Sequence, residues 1–392
     1  MESVDWMVPT RHRAETLREK IGQVPNIHFH PFFGSWNSQQ IPISGKRFAG
    51  ILKAFIKRLP FISHRAFIAH RRNIDRCIES AASSLHSTHC WFHFVQGQTV
   101  PQLAIPISGL VHDQNFRHFP ENFPKGKVGQ FRGALESWLE CSQMVSVLSE
   151  EGRQEINGVV PRPRARIEVI PNAVSPSFPP KPGKGSTEPC FLYPAAALSH
   201  KNHLLIFQAA KLLEGKNVEY KFVICGKGTG QFGLESPSST NRGIEEARRC
   251  FQANKHIFGH RFDFRGECTL EELDALYSSS RAVVLPSKYE GFGLPLVEAL
   301  ARNTPVLCSR LVPFMEQVER YQAQEWVSFF DQGDPASLAN LILKACYGYP
   351  ENRENVFPVE NFSVWTWGDV AQKYHEIFVA LAGCPLTSSR AE

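Results

Sequence analysis

Short apolar runs alternate with longer amphipathic stretches along most of this chain. Val4-Asp-Trp-Met-Val8, Asn26-Ile-His-Phe-His30, Cys90-Trp-Phe-His-Phe-Val95 and Ala104-Ile-Pro-Ile-Ser-Gly-Leu-Val111 read as strands. A helix is expected over Ala14 to Ile21, between the first two of them. A second, over Phe131 to Cys141, leads into the strand Met144-Val-Ser-Val-Leu148, and Ile167-Glu-Val-Ile170 ends this half at Pro171-Asn172. Ser175 to Pro189 then has the proline and glycine density of an exposed linker, so a domain boundary is expected there. The pattern restarts with strand Phe191-Leu-Tyr193, helix Leu204 to Leu213, strand Tyr220 to Cys225 and a long polar segment near 228 to 243. Strand-like Phe262-Asp-Phe264, helix Leu270 to Ser278 and the β-branched run Arg281-Ala-Val-Val-Leu-Pro286 follow. This alternation predicts α/β architecture with a parallel sheet in each half and ligands at the carboxyl ends of the strands. The expected domains are 1–180 and 188–362, with a terminal helix over 363–384.

The next segment, Ser287-Lys-Tyr-Glu-Gly-Phe-Gly-Leu-Pro-Leu-Val-Glu-Ala-Leu300, carries the most chemistry. It reads as a tight loop between a strand and a helix, with Pro295 in the first helical turn, where proline is tolerated. Gly291 and Gly293 would let the backbone approach a ligand without a Cβ in the way, and the free N–H groups around Phe292 and Leu294 would attract an anion such as a diphosphate. Glu298, one turn into the helix, could accept bonds from two neighbouring hydroxyls, as a ribose offers. Glu290, on the loop, would face the group that the diphosphate carries.

A chain of 392 residues is too long for one ordinary core, and two domains leave a cleft between them. Its 42% hydrophobic and 21% charged residues are those of a globular protein, and no apolar run approaches the roughly 20 residues of a membrane span. The start, Met1-Glu-Ser-Val-Asp-Trp-Met, lacks a basic stretch followed by an apolar core, so a cytoplasmic protein is expected. The ten cysteines are scattered singly, which suggests reduced, mostly buried thiols and neither a zinc site nor a disulfide framework. The net charge of +5 is unevenly spread. Residues 46–76 carry Lys46, Arg47, Lys53, Lys57, Arg58, Arg65, Arg71, Arg72 and Arg76 against the single acid Asp75, interleaved with Phe48, Ile51, Phe55, Ile56, Phe61 and Phe67. Such a face suits an anionic membrane surface, with a helix pair packed on the first sheet as the alternative. No nucleic-acid motif accompanies it.

Several of these segments resemble the family 4 glycosyltransferases, retaining enzymes of the GT-B fold. The stretch from Glu290 to Glu298 is similar to the family's Glu-x7-Glu signature, and Thr304-Pro-Val-Leu-Cys-Ser309 to the strand that follows it. Ile167-Glu-Val-Ile-Pro-Asn-Ala-Val174, Gly109-Leu-Val-His-Asp113 with His118-Phe-Pro120, Ser146-Val-Leu-Ser149 and Phe330-Asp-Gln-Gly-Asp-Pro335 match further family segments, so the resemblance covers roughly residues 100–380. It implies two Rossmann-like domains facing a cleft. Phe362-Ser-Val-Trp-Thr-Trp367 and the helix after it would cross back onto the N-terminal domain.

The resemblance also implies site roles. Lys201, in Ser199-His-Lys-Asn-His203, would contact the donor diphosphate, with no metal and no Asp-x-Asp motif. His112 would contact the donor sugar or the acceptor, a local turn bond to Asp113 being the alternative. Arg265 lies where base contacts are expected. Two departures stand out: the usual arginine before the lysine is Ala196, for which Arg265, Lys227 or an arginine of the other domain could substitute, and the first loop, Pro9-Thr-Arg-His-Arg13, has no glycine, leaving Arg11 or Arg13 to act by charge. The implied activity is retaining transfer of a sugar, with mannose as the guess, from a nucleoside-diphosphate sugar to a glycan or lipid-linked acceptor in cell-surface polysaccharide synthesis. A GT-B epimerase or phosphorylase, or a non-catalytic nucleotide-binding scaffold, would be the alternatives. A nicotinamide enzyme is disfavoured, since no Gly-x-Gly-x-x-Gly follows the first strand.

Overall fold

The computed structural model describes residues 4–10, 27–33, 90–95, 97, 100, 103, 105–174, 189–233, 239–348 and 357–382. The expected helix over Ala14 to Ile21, Arg11, Arg13, the basic stretch 46–76 and nearly all of the linker lie outside them. The chain divides into two compact units: Met1–Trp91, Val100–Ile107 and Leu381–Glu392 form one, and Phe92–Thr99 with Ser108–Ala380 form the other. The first contributes β1 (Val4–Thr10) and β2 (Ile27–Phe33), which pair in parallel as a separate two-stranded sheet.

The larger unit holds two sheets. β3 (Trp91–Phe94), β4 (Ile107–Val111), β5 (Met144–Val147) and β6 (Arg166–Val169) lie side by side in that order, with β4–β5 and β5–β6 parallel. The other sheet contains β7 (Cys190–Pro194), β8 (Lys221–Cys225), β9 (Phe262–Gly266), β10 (Ala282–Leu285), β11 (Val306–Ser309) and β12 (Val327–Phe330). Its strands are parallel throughout, in the order β12-β11-β10-β7-β8-β9. The order reverses between β7 and β10. Both are apolar and buried, as strands covered on both faces must be, and the loops at their carboxyl ends open where a doubly wound sheet binds its ligand.

In chain order the helices are α1 (Asn115–His118), α2 (Lys127–Cys141), α3 (Glu150–Val159), α4 (His203–Leu212), α5 (Arg242–Ala253), α6 (Lys255–Phe258), α7 (Leu270–Ser279), α8 (Leu294–Leu300), α9 (Val312–Arg320), α10 (Pro335–Cys346) and α11 (Trp367–Ala382). Trp138 of α2 is fully buried and lies against Gly109 of β4, where a Cβ would come within 2.8 Å of the ring, so the glycine sets how closely helix and sheet pack. At the other edge Phe207, Phe251, Phe258, Phe262 and Phe264 form a cluster of tilted and edge-to-face rings. The expected return of the C-terminal helix is present: Tyr374 of α11 meets Ser146 of β5 at 3.0 Å, Phe92 of β3 packs edge-on against Tyr374 and Phe378, and Trp365 donates to the Pro171 carbonyl.

Two expectations need correction. No helix is expected between the polar segment near 228–243 and Phe262, yet Arg242–Ala253 forms α5, capped by the Asn241 side chain on the Ile244 N–H. Eight cysteines among the described residues are free thiols, but only Cys225 and Cys308 are buried.

Candidate functional site

Two loops meet at the switch point of the six-stranded sheet. The one after β7 turns through Ser199–Lys201 and then Asn202, whose φ of 57° is left-handed, a conformation asparagine tolerates better than most residues. Asn202 donates to the Pro286 carbonyl and the Lys288 N–H donates to the His200 carbonyl at 2.7 Å, which ties this loop to the one after β10. Lys201 and Glu290 are thereby brought together, with Nζ donating to Oε1 at 2.6 Å and both side chains largely buried. Ser287 donates to the same oxygen at 2.6 Å, and the phenol of buried Tyr193 donates to the Lys201 carbonyl. Burial and the nearby Glu290 hold the Tyr193 phenol well above its ordinary range, so it remains a donor.

The first half of the unit reaches this corner through His112 and the residues after it. Gly291 lies directly against the end of β4: a Cβ there would stand 2.4 Å from the His112 carbonyl oxygen and 2.9 Å from the Asp113 Cβ. Ser149 closes the contact from the start of α3 by donating to the Gly291 carbonyl. Gly291 is therefore needed for the approach of protein to protein. Gly293 is needed for its φ of 91° and because a Cβ would strike the Phe314 ring at 2.7 Å. Phe292 is buried in the core, whereas Leu294, which begins α8, is exposed. Burial lowers the pKa of His112, partly opposed by Asp113, so the ring is neutral at neutral pH.

A second cross-connection lies beside Lys201. Asn122 accepts from the Ser199 N–H at 3.1 Å, the Ser199 hydroxyl at 2.8 Å and the Asn241 amide at 3.0 Å. The amides of Asn115 and Asn122 both donate to His200 Nδ1. Burial, and then Lys201, push His200 down to about 3, so it accepts these bonds as a neutral ring.

Glu298 stands apart from this cluster. It accepts from the buried Tyr277 hydroxyl at 2.9 Å, while Arg302 stacks on the Tyr277 ring and pairs with Asp274. The two acids of the segment therefore have separate surroundings. Arg265, on edge strand β9, is half-exposed and turned to Asp263 at 2.7 Å, and it does not join Lys201 and Glu290. The loop carrying Ala196 passes Gly226, where a Cβ would lie 2.5 Å from Ala195, and the exposed Lys227 accepts on its carbonyl from the Ala197 N–H. Tyr193, Ser287, Tyr277 and Asn122 were not singled out in the sequence. Only Ser287, three residues before Glu290, carried a positional signal.

A narrow cavity opens between the ends of β4 and β5 and the 289–291 loop, lined by His112, Gln114, Glu151, Glu155, Tyr289 and Glu290 among others. Tyr289 donates to Glu155 at 3.0 Å and accepts from the Gln114 N–H at 2.8 Å. Burial, then Glu155 and Glu316, push Glu151 up to about 7 from an ordinary 4.5. A raised acid stabilises the fold through its protonated form. That contribution is complete below about pH 4.5 and is lost as the pH rises to about 7. Glu151→Gln is accordingly expected to stabilise the protein by about 1 kcal/mol at pH 8, discounted because the group is half-exposed, and to change little at pH 4. Urea denaturation at the two pH values checks this; equal gains at both would contradict it.

Comparison with known proteins agrees with this architecture. Residues 174–356 match the family "Glycosyl transferases group 1". O-antigen chain mannosyltransferase B of Escherichia coli is 25% identical over 287 residues, 69% of this chain and 68% of that protein. O-antigen chain mannosyltransferase RfbU of Salmonella typhimurium is 29% identical over 232 residues, 59% of this chain and 57% of that protein, so the match leaves much of the relative's length uncovered. In fold, the chain superposes on sucrose-phosphate synthase from Thermosynechococcus elongatus with a TM-score of 0.60 at 17% identity, covering 97% of this chain and 100% of the other. A trehalose-6-phosphate synthase gives 0.59 at 11% identity, covering 97% and 99%. The chain is a glycosyltransferase of the GT-B fold, and its residues 174–356 carry the similarity to the group 1 family.

Proposed function

We propose that the protein transfers mannose from a nucleoside-diphosphate sugar, with retention, to a glycan or lipid-linked acceptor in cell-surface polysaccharide synthesis. The observation that carries the mechanism is the Lys201–Glu290 pair at the switch point, with neutral His112 at the end of the neighbouring sheet. Glycosyl transfer builds charge on the departing diphosphate, and stabilising it is the main electrostatic task. Lys201 offers three N–H donors, of which Glu290 engages one, so it can hold a phosphate oxygen while remaining oriented by the acid. The start of α8 at Leu294 supplies backbone N–H groups on the same loop. No metal is required for this, and no protein nucleophile: the leaving phosphate takes the acceptor proton on the face it vacates. Lys227, exposed beside the Ala196 loop, is a better substitute for the missing arginine than Arg265, which Asp263 already holds.

Mannose is favoured by the two O-antigen relatives, which are mannosyltransferases by name. No helix among the described residues is long and apolar enough to cross a membrane. Docking to an anionic bilayer through residues 46–76 on the cytoplasmic face fits a lipid-linked acceptor. The roles of the two acids separate in one experiment. Glu290→Gln should leave nucleoside-diphosphate affinity within about threefold while removing most transfer, since Glu290 faces the sugar and not the nucleoside. Calorimetry and a transfer assay on the same preparation check this, and equal loss in both would refute separate roles.

A further inference from the structure

The carboxylate of Glu298 is held by a neutral donor although a cation lies close by. Its Oε2 accepts from the Tyr277 hydroxyl at 2.9 Å, a contact between α8 and α7. Arg302 directs its bonds elsewhere: Nε and Nη2 donate to Asp274, and Nη1 donates to the Glu298 backbone carbonyl at 2.9 Å. An acid that served only to join two helices would be satisfied best by that guanidinium. A carboxylate bonded by a single phenol keeps most of its about four acceptor positions for other hydroxyl groups.

The phenol is itself firmly placed. Its ring is 0% exposed, the Arg302 guanidinium stacks on one face at 4.8 Å, and the Thr304 hydroxyl donates to the Tyr277 carbonyl at 2.8 Å. Burial, and then the charge of Glu298, hold its pKa well above the ordinary range, so the proton stays on the oxygen and the phenol remains a donor. Glutamate, by contrast, has three rotatable bonds. Ordering it when a ligand arrives costs rotamer entropy that a fixed partner removes in advance.

Resting on the reading of Glu298 as the ribose acceptor, we propose that Tyr277 is its positioning residue, holding the carboxylate by Oε2 so that the hydroxyls of the donor ribose meet a preset acceptor. Being fully buried, Tyr277 acts through the carboxylate. It thereby sets how strongly the site prefers ribose over a sugar that lacks those hydroxyls, because a site organised to bond a hydroxyl rejects the analogue without it.

The test is calorimetric titration of the full-length protein with GDP, UDP and ADP and with the corresponding dideoxynucleoside diphosphates, which lack both ribose hydroxyls. For the base that binds, the wild type is expected to favour the ribonucleotide by at least about tenfold. Tyr277→Phe keeps the ring and the Thr304 bond, and melting curves report the fold of each variant. It should weaken the ribonucleotide about five- to tenfold and leave the dideoxy form within about twofold, so that the preference falls. Added to Glu298→Ala, it should cause no further loss, since the group it positions is gone. A merely structural role would weaken both nucleotides alike, and the losses of the two substitutions would add. Either that outcome or an undiminished preference in Tyr277→Phe would overturn the proposal and leave the ribose reading standing. Equal binding of the two forms by the wild type, or a preference that survives Glu298→Ala, would overturn the ribose reading and the proposal with it.

Discussion

Lys201→Met is expected to lower the turnover of the nucleotide sugar by about 10²–10³-fold, because one preorganised donor to a developing oxyanion is worth that much. Methionine preserves the length and most of the volume of the side chain while removing the charge. The loss should appear in kcat as well as in affinity, since the diphosphate carries more charge on leaving than in the ground state. Some stability should also go, because Glu290 would remain largely buried with only Ser287 as partner. Glu290→Gln in the same background should restore stability without restoring turnover, which separates the structural role of the pair from the chemical one. Steady-state kinetics and melting curves on the single and double variants read both effects, and full activity in Lys201→Met would remove the lysine from the mechanism.

Gly291→Ala should be the most damaging conservative change in the loop. The added methyl would have to occupy space 2.4 Å from the His112 carbonyl oxygen, a backbone atom at the end of β4 with little freedom to move. Overpacking of this kind costs about 1–3 kcal/mol, and a shift of about 1 Å in the loop would cost about 10²-fold in rate by displacing Glu290. Gly158→Ala in α3 provides the contrast. Nothing lies within 4 Å of a Cβ there, so the helix should gain up to about 1 kcal/mol from better propensity. If the two substitutions melted alike, Gly291 would not be the contact point between the loop and β4.

Much of the fold was legible because apolar runs bounded by turns map onto buried parallel strands: Ala282–Leu285 and Met144–Val147 are buried at every position. Helix α5 escaped because Arg242, Glu245, Glu246, Arg248 and Arg249 dominate its composition. Its apolar positions, Ile244, Ala247 and Phe251, keep helical spacing but are sparse, and the Asn241 cap was the signal that could have revealed it. At the site, Lys201 and Glu290 could be found from their motifs. Ser287 and Tyr193 support them from the same loop and from the strand just before it, whereas the link through Asn122 to His200 joins side chains 78 residues apart, which no local spacing records. The glycines of the loop were read as room for a ligand, and the Cβ positions show that protein fills it. Arg265 looked available in sequence, since its partner Asp263 is an ordinary neighbour two residues away on the same strand.

The central claim is that a nucleoside diphosphate binds with its ribose on Glu298 and its phosphates at Lys201. Calorimetric titration of GDP, UDP, ADP and CMP against wild-type and Glu298→Ala protein tests it most directly. Selective binding of one diphosphate is predicted, weakened at least about tenfold by Glu298→Ala through loss of the charged acceptor for the ribose hydroxyls. Binding of none by well-folded protein, or binding indifferent to Glu298, would contradict it.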